Sequence, residues 1–414
     1  MNKTLPARAL FYAVIVSVFV AMISGAMLLS SYHQHMLMGY YQTQERLMDN
    51  CQSGVELILG AKATGIPQVR VDLFQQEKDS VRLEQKAWGL LDVATVKSWS
   101  GQGIYQDSII KTFLLGKETP DYALSLSEGT SPLYVCGNTQ IVGTAFLPTE
   151  GVERGYFHVV QGKPYTGEKL IYGKKEIVKP TDMSIYKERF DDLKTLQDLN
   201  GNINLEQDSI LQPFNQPTLI LKGERFNTAN LVLKGNVIVV ASERIEVAAN
   251  AFLEDVLLVA PEIIIQSGFQ GSLQAFAWDS LVVESGVFLD FPSVLCLLPY
   301  EERTNFSPEI ILQEGVEMIG TLMVPSFRYN TYKSKVTIGA TAKITGQVWV
   351  NGVLQHKGIV HGSVLCTEFL LQTPAGVYEN YLLDAIIDRT LLPKTYLTPS
   401  LLGTKDYKQV LKYL

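Results

Sequence analysis

The sequence is poor in the residues on which several classes of protein depend. It holds 4 cysteines in 414 residues, which is too few for a disulfide framework. Charged residues make up 19% of the chain and hydrophobic residues 46%, a balance that argues against disorder. The net charge is −7, so the chain lacks the cationic excess that neutralises phosphate. Nucleic-acid binding is therefore not expected.

A long uncharged segment lies near the N-terminus. Residues 10–29 (LFYAVIVSVFVAMISGAMLL) carry no charge, and 20 helical residues at ~1.5 Å each span the ~30 Å of a bilayer core. Lys3 and Arg8 precede the segment, and no Lys or Arg follows it until Arg46. By the positive-inside rule, we predict a cytoplasmic tip at 1–9 and a single inner-membrane helix. The body is then exported to the periplasm or the cell exterior.

A cleaved signal peptide is the alternative interpretation, because Ser24-Gly25-Ala26 offer small residues at a suitable spacing. Against cleavage, the helical pattern continues beyond the segment and stops at Gly60. Its apolar positions are Leu47 or Met48, Cys51, Val55 and Ile58. The pattern predicts a helical stalk over 30–62. Packing of this stripe on the body is favoured over a coiled coil, because fewer than three clean heptads are present.

A long apolar helix that continues into an amphipathic one resembles the pilins and pseudopilins of type IV pilus and type II secretion systems. Ala9 followed by Leu10-Phe11 is similar to their processing junction. The glycine usual before that cut is absent, and Val14 stands where mature pilins have a glutamate. The resemblance implies a membrane-inserted subunit of a pilus-like assembly and covers about 60 residues.

The body contains an internal repeat. Ile245, Ile263 and Leu281 open three units that start 18 residues apart, and Ile310 and Val336 open two more after spacings of 29 and 26. The third position of each unit is apolar and the sixth is mostly Gly or Asn, which suits a corner of the backbone. The third-position residues are Val247, Ile265, Val283, Leu312 and Ile338.

Such a repeat predicts a mainly β fold, a parallel β-helix in which coils stack ~4.8 Å apart and bury a continuous core. Its handedness stays open. A β-sandwich is the alternative, although sandwiches show no fixed 18-residue repeat. Short Val/Ile coils with glycine corners resemble bactofilins, polymer-forming β-helical scaffolds of bacteria, over roughly 140 residues. Bactofilins are typically cytoplasmic, whereas the topology above exports this body.

The remaining segments fit around this solenoid. Leu133 to Pro148 aligns without gaps to Ile310 to Pro325 and predicts an early coil. A helix is expected near Tyr186 to Leu199, within an insertion. The predicted segments are a strand-rich module or cap at 63–130, a first coil at 131–150, an insertion at 151–225, the main β-helix at 226–371 and a C-terminal cap at 372–414.

Residues suited to catalysis or metal binding do not form a recognisable site. Asp255, Asp279 and Asp290 fall in different columns of the repeat, and Glu246 and Glu284 in neighbouring ones. His33 and His35 point to different sides of a helix, and His356 with His361 would make a weak metal site. Common nucleotide, hydrolase and C-x-x-C motifs are absent. We therefore predict no catalytic residue, cofactor or metal. Cys51, Cys136, Cys296 and Cys366 are expected to pack as small apolar residues, with a disulfide left open.

These features predict a membrane-anchored structural or adaptor protein of a bacterial envelope assembly, with the membrane at 10–29 and other proteins as partners. The alternative is a membrane-anchored β-helix that binds or cleaves glycans, as polysaccharide lyases and hydrolases do. That alternative needs a stripe of exposed aromatic side chains on one face. The candidates are Phe252, Phe269, Phe288, Trp278 and Trp349.

Overall fold

The computed structural model describes residues 7–61, 66–73, 79–100, 107–127, 129, 131–157, 160–161, 169–172, 183–196, 208–298, 307–325, 334–404 and 407–414. Within these residues the fold is mainly β, with one long N-terminal helix. The chain divides into two compact units. Unit 1 comprises Met1–Ile58, Ile66–Glu84 and Thr95–Lys111, and unit 2 comprises Leu59–Gly65, Gln85–Ala94 and Thr112–Leu414.

Helices and strands follow the chain in this order. Helix α1 is Ala7–Gly60 and helix α2 is Met183–Thr195. The strands before α2 are β1 Ile66–Val71, β2 Asp79–Trp88, β3 Leu91–Ser100, β4 Ser108–Glu118, β5 Leu124–Leu126, β6 Leu133–Cys136, β7 Gln140–Val142, β8 Thr144–Leu147, β9 Val152–Arg154, β10 Tyr156–Phe157, β11 Val160–Gln161 and β12 Lys169–Tyr172. Those after α2 are β13 Ser209–Gln212, β14 Leu219–Asn227, β15 Val232–Gly235, β16 Val237–Val247, β17 Phe252–Ile265, β18 Gln270–Val283, β19 Phe288–Leu297, β20 Glu309–Leu312, β21 Glu317–Val324, β22 Lys335–Ile338, β23 Lys343–His356, β24 Ile359–Thr373, β25 Gly376–Glu379, β26 Tyr381–Leu383, β27 Ile386–Asp388, β28 Leu397–Pro399 and β29 Gln409–Tyr413.

Helix α1 runs without interruption through the predicted membrane segment and the predicted stalk, and it ends at Gly60. Helix α2 begins three residues before the predicted Tyr186. The predicted end of α2, Leu199, lies outside the described residues.

Repeat units that are neighbours in the sequence are also neighbours in space. The strands pair in parallel, and their register places Ile245 beside Ile263, Ile263 beside Leu281, Leu281 beside Ile310 and Ile310 beside Val336. The two insertions therefore leave the stacking register unchanged. This arrangement fits a solenoid and rules out an antiparallel sandwich for these strands, since sandwiches pair their strands antiparallel.

The interior of unit 2 is built from the apolar columns of the repeat. The third-position residues, from Val247 to Ile338, have no exposed surface. Burying one Val, Leu or Ile side chain contributes roughly 1.5–3 kcal/mol, so a column of such residues favours the stacked arrangement strongly.

One outer face of the stack is apolar as well. Every residue from Val256 to Ala260 is buried, because alternate side chains enter the interior and a second cluster outside it. Trp88 and Leu90 of the β2–β3 turn and Phe190 of α2 belong to this outer cluster. Strands buried on both faces carry continuous apolar runs, as parallel sheets do.

Polar contacts fix the covering segments of unit 2. The Gln274 side chain accepts a hydrogen bond from Leu90 N at 2.9 Å and donates one to Trp88 O at 3.0 Å. The guanidinium of Arg189 in α2 donates to Asp92 in a buried ion pair. A buried ion pair defines the position of its partners more than it adds stability.

The early coil occupies a different place from the one expected. In β24, Val364 pairs with Leu124, and Ile359 pairs with Ile386. Strands β5 and β27 then pair with β8 and β7, and β8 pairs with β12. The segment predicted as the first coil at 131–150 therefore follows the last coil of the stack. The repeat identifies which segments form coils but not the order in which the coils stack. All coils share the same pattern of apolar positions, so a given coil can pack against any other.

The C-terminal segment also departs from a simple cap. Strand β27 extends the stack itself, whereas β28 and β29 pair antiparallel with β4. Tyr396, just before β28, donates its hydroxyl to Gly320 O at 2.7 Å. The segment predicted as a cap at 372–414 thus contributes a strand to the last coils.

We expect Gly346→Ala to destabilise unit 2 strongly. Gly346 lies between Gly320 and Gly362 in the register, at a φ of +148°. A Cβ there would overlap the Gly320 carbonyl and lie 2.5 Å from the Tyr396 hydroxyl. Overpacking and backbone strain together predict a loss of about 3 kcal/mol or more in the free energy of unfolding, measured by denaturant titration of the detergent-extracted chain.

Gly286→Ala is the matched control for this prediction. Gly286 has a φ of +71°, yet nothing lies within 4 Å of its Cβ position. Its loss should be limited to backbone strain, about 1 kcal/mol. Equal losses for the two variants would contradict the close coil-to-coil contact at Gly346.

Candidate functional site

The first part of helix α1 is not packed against the described residues of the body. From Arg8 to Gln42 no residue is buried. By length and composition this helix could cross a membrane, and the other described helix does not pass that test. The large apolar side chains exposed along it are Leu10, Phe11, Tyr12, Val14, Val16, Val18, Phe19, Val20, Met22, Ile23, Met27, Leu28, Leu29, Tyr32, Leu37, Met38, Tyr40 and Tyr41.

This uncovered part is longer than a bilayer core. At ~1.5 Å per residue, residues 8–42 extend about 52 Å, against ~30 Å of hydrocarbon. Residues 10–29 suffice to fill the core. The helix therefore exposes about three and a half further turns beyond the bilayer core, at residues 30–42, which we call the overhang. Leu37 and Met38 of the overhang are 56% and 63% exposed.

The second part of α1 packs against the strands of unit 1. Leu47, Cys51, Val55 and Ile58 are buried, which confirms the predicted stripe and its packing on the body. Of the two candidates at the start of the stripe, Leu47 is the buried one, and Met48 is 47% exposed.

A glycine allows the close approach of helix and sheet. A Cβ at Gly54 would lie 2.7 Å from Val96 Cγ1 and 3.0 Å from side-chain carbons of Leu83 and Val81. These three residues belong to β2 and β3, so Gly54 marks the point of closest packing. A glycine inside a buried helical stripe is the sequence signal for this contact, and the predicted stripe did not include Gly54.

Polar groups on the same side of the helix fix its position. Arg46 Nε lies 2.5 Å from Asp79 Oδ2, and Asn50 Nδ2 donates to the same oxygen at 3.4 Å. Lys111 Nζ donates to Gln52 Oε1 at 3.0 Å. Because these contacts join α1 to β2 and β4, they fix the position of the helix along its own axis relative to the sheet.

The carboxylates considered for catalysis have structural roles or lie apart. The Asp255 side chain is 8% exposed and accepts from Lys412 Nζ at 2.8 and 2.9 Å, so it holds β29 to the stack. Burial raises the pKa of Asp255 and Lys412 opposes that rise. Asp279 is buried, and Asp290 accepts from the backbone N of Phe291 at 2.7 Å. Glutamates Glu246 and Glu284 contact Arg244 at 3.7 Å and Ser267 N at 2.9 Å, respectively.

The histidines that the structure describes do not form a metal site with other ligands. His356 is buried with Nε2 3.3 Å from Ile386 O, and burial lowers its pKa to about 4. His361 lies beside Asp388 in the register, and burial is the main cause of its lowered pKa. His33 and His35 are exposed on α1. Among the described residues, no group of three or more His, Cys, Asp or Glu could hold a metal ion.

The aromatic residues considered for glycan stacking do not form one exposed stripe. Phe269 lies in the interior of the stack, and Trp278 and Trp349 lie in the outer cluster of unit 2. Phe252 is 50% exposed and Phe288 is partly exposed, with Gln270 between them in the register. The stripe that the glycan alternative requires is therefore reduced to two separated side chains.

No protein-family model matches the chain, and no curated protein matches it. Among solved structures, it is similar to the competence-associated pilin ComZ from Thermus thermophilus, at 13% identity. The similarity covers 91% of this chain and 96% of that one, with a TM-score of 0.25. A score at this level does not establish a shared fold.

We expect Gly54→Ala to weaken the packing of α1 on unit 1. The added Cβ must displace Val96, Leu83 or Val81, and overpacking of this kind costs about 1–3 kcal/mol. Protease resistance of the packed half of α1 and the denaturant midpoint of the full chain would both fall. Gly25→Ala is the control, since nothing lies within 4 Å of its Cβ position and alanine favours a helix. A midpoint unchanged in both variants would refute the close contact.

We also expect the native thiols to be unreactive. All four cysteines are free and buried, and burial raises the pKa of each thiol. Since the thiolate is the reactive form, maleimide should label none of them in the folded chain and all of them after denaturation without reductant. Mass spectrometry counts the labels. A denatured chain that takes up two fewer labels would reveal a disulfide instead.

Proposed function

We propose that the protein is a non-catalytic, membrane-anchored structural or adaptor component of a bacterial envelope assembly of pilus-like, secretion or surface type. Helix α1 anchors it in the inner membrane with residues 1–9 in the cytoplasm. The β-helix of unit 2 is exported and presented to partner proteins. The observation that carries this proposal is the overhang, an apolar helical surface that neither the protein body nor a bilayer core covers.

The length of α1 supports both parts of the proposal. Residues 10–29 match the thickness of a bilayer, so lipid can cover them. Residues 30–42 lie beyond that thickness, yet Leu37, Met38, Tyr40 and Tyr41 are exposed. Soluble proteins rarely leave contiguous apolar surface uncovered, and such surface marks a site of protein contact. A helix from another subunit satisfies this requirement.

The packed half of α1 supports a structural role. The helix is joined to the sheet of unit 1 by buried side chains and by the Arg46–Asp79 ion pair. A segment that only directs export would need no such contacts with the mature body. The burial of Leu47, Cys51, Val55 and Ile58 therefore favours a retained anchor over a cleaved signal peptide.

The glycan alternative has less support from the described residues. Its aromatic candidates are mostly buried, and Asp255 is engaged by Lys412. A glycan hydrolase needs two carboxyl groups within ~5–10 Å on an open face. The structural proposal requires no such arrangement.

The anchor is tested with Val18→Arg in the full chain. An arginine near the centre of a membrane helix costs about 3 kcal/mol of insertion, so the carbonate-resistant membrane fraction should fall severalfold. Val18→Leu should remain in the membrane. A chain that stays fully membrane-bound with Val18→Arg would count against residues 10–29 as the anchor.

The overhang is tested by cysteine crosslinking in membranes, because the native thiols are buried. Leu37→Cys should form a crosslinked adduct of higher mass under mild oxidation. Asp49→Cys, on the exposed side of the packed half of α1, should give none. If Leu37→Cys gives only the monomer in the native membrane, the overhang is not an assembly surface and the proposed function fails.

A further inference from the structure

Unit 1 has a second surface, on the side of its sheet away from helix α1. Val81 and Leu83 of β2 and Val96 of β3 face Gly54 of the helix. Because side chains alternate along a strand, Arg82 and Trp99 point to the opposite side. Arg82 is exposed and Trp99 is partly exposed. This outer face belongs wholly to unit 1.

The outer face holds a tryptophan with two guanidinium groups close to its ring. The Arg70 Cζ lies 5.4 Å and the Arg82 Cζ 5.5 Å from the Trp99 ring centroid, both within the range of a cation–π contact. Arg70 also donates from Nε and Nη2 to Ser80 Oγ, at 3.1 and 2.8 Å. Stacking and hydrogen bonding hold these two long side chains in place before any partner arrives, which lowers the entropy cost of binding.

The charge of this face is unbalanced. Lys97 lies on the same side as Arg82 and Trp99, and Glu84 is the carboxylate of β2 on that side. Within 7–58, 66–73, 79–84, 95–100 and 107–111, no carboxylate forms an ion pair with Arg70 or Arg82. Tryptophan and arginine are the residues that most often dominate protein interfaces. The face is therefore suited to an acidic protein surface.

The negative charge that such a partner requires is present in the chain itself. Unit 1 contains equal numbers of acidic and basic residues, so the net charge of −7 belongs to unit 2. A second copy thus carries the complementary charge. We propose that the face formed by Arg70, Arg82 and Trp99 docks onto the acidic unit 2 of a second copy of this chain. The inference rests on the proposed function, in that it names one partner of the assembly.

A contact between two different surfaces of identical chains is heterologous. Each copy then offers one donor face, in unit 1, and one acceptor, in unit 2. Such contacts extend from copy to copy, and a copy that lacks the donor face can still accept a neighbour. This asymmetry separates the proposal from a symmetric dimer.

The test uses the full chain in mild detergent, with its mass followed by sedimentation as salt is raised from roughly 0.05 M to roughly 0.5 M. We expect the wild type to associate at low salt and to dissociate as salt rises. R70E/R82E should weaken association at least about tenfold. The control R154E/R225E changes net charge equally at exposed arginines of unit 2. Because it makes the acceptor unit more acidic, it should associate at least as strongly as the wild type. Equal loss in both variants would overturn the proposal.

Mixing tests the direction of the contact. Substoichiometric R70E/R82E should shorten wild-type assemblies. The variant can accept a wild-type copy on its unit 2, but without its own donor face it cannot dock onto another copy, so the assembly ends there. A wild type that is monomeric at low salt would overturn the proposal, as would an acidic polysaccharide that binds this face while the copies do not associate. Failure here is distinct from failure of the proposed function, because Leu37→Cys crosslinking in the R70E/R82E background reports on helix α1 separately.

Discussion

The structure of unit 2 depends on covering apolar strand segments on two sides. Residues such as Val256–Ala260 are buried throughout, so stacking of coils covers only half of their side chains. The other half needs the β2–β3 turn and helix α2, which Gln274 and the Arg189–Asp92 pair hold in position. Both covering segments precede the main stack in the chain. The solenoid is therefore complete only with parts that lie outside its own repeat.

Helix α1 also carries apolar side chains that need to be covered, but over most of its length no other part of the described chain covers them. Intramolecular burial begins at Thr43, and the residues before it remain uncovered. Lipid covers a length set by the bilayer, and the overhang exceeds that length. The apolar surface that the helix exposes beyond the membrane is thus the surface that other protein subunits would have to cover.

Local patterns in the sequence predicted local structure well. The 18-residue columns predicted the parallel neighbours from Ile245 to Val336, and the stripe containing Cys51 predicted the buried side of α1, because both depend on periodic apolar positions. The contacts of Gln274, Gly54 and Trp99 were not predictable in this way. Each joins residues that are distant in sequence, and a single sequence contains no record of which segments meet. The order of coils was missed for the same reason.

The position of the early coil has a consequence for how the chain is made. Ser127 bonds to Cys366 across 239 positions, so its partner does not exist until most of the chain has been synthesised. At ~5–20 residues per second this delay is about 10–50 s. An ordinary solenoid can begin to fold from its first repeat and tolerates the loss of its last one. In this protein the early strands can pair with one another, but their place beside β24 and β27 is not available until the late segment is made. A ribosome that stops before residue 359 leaves them without that place in the stack.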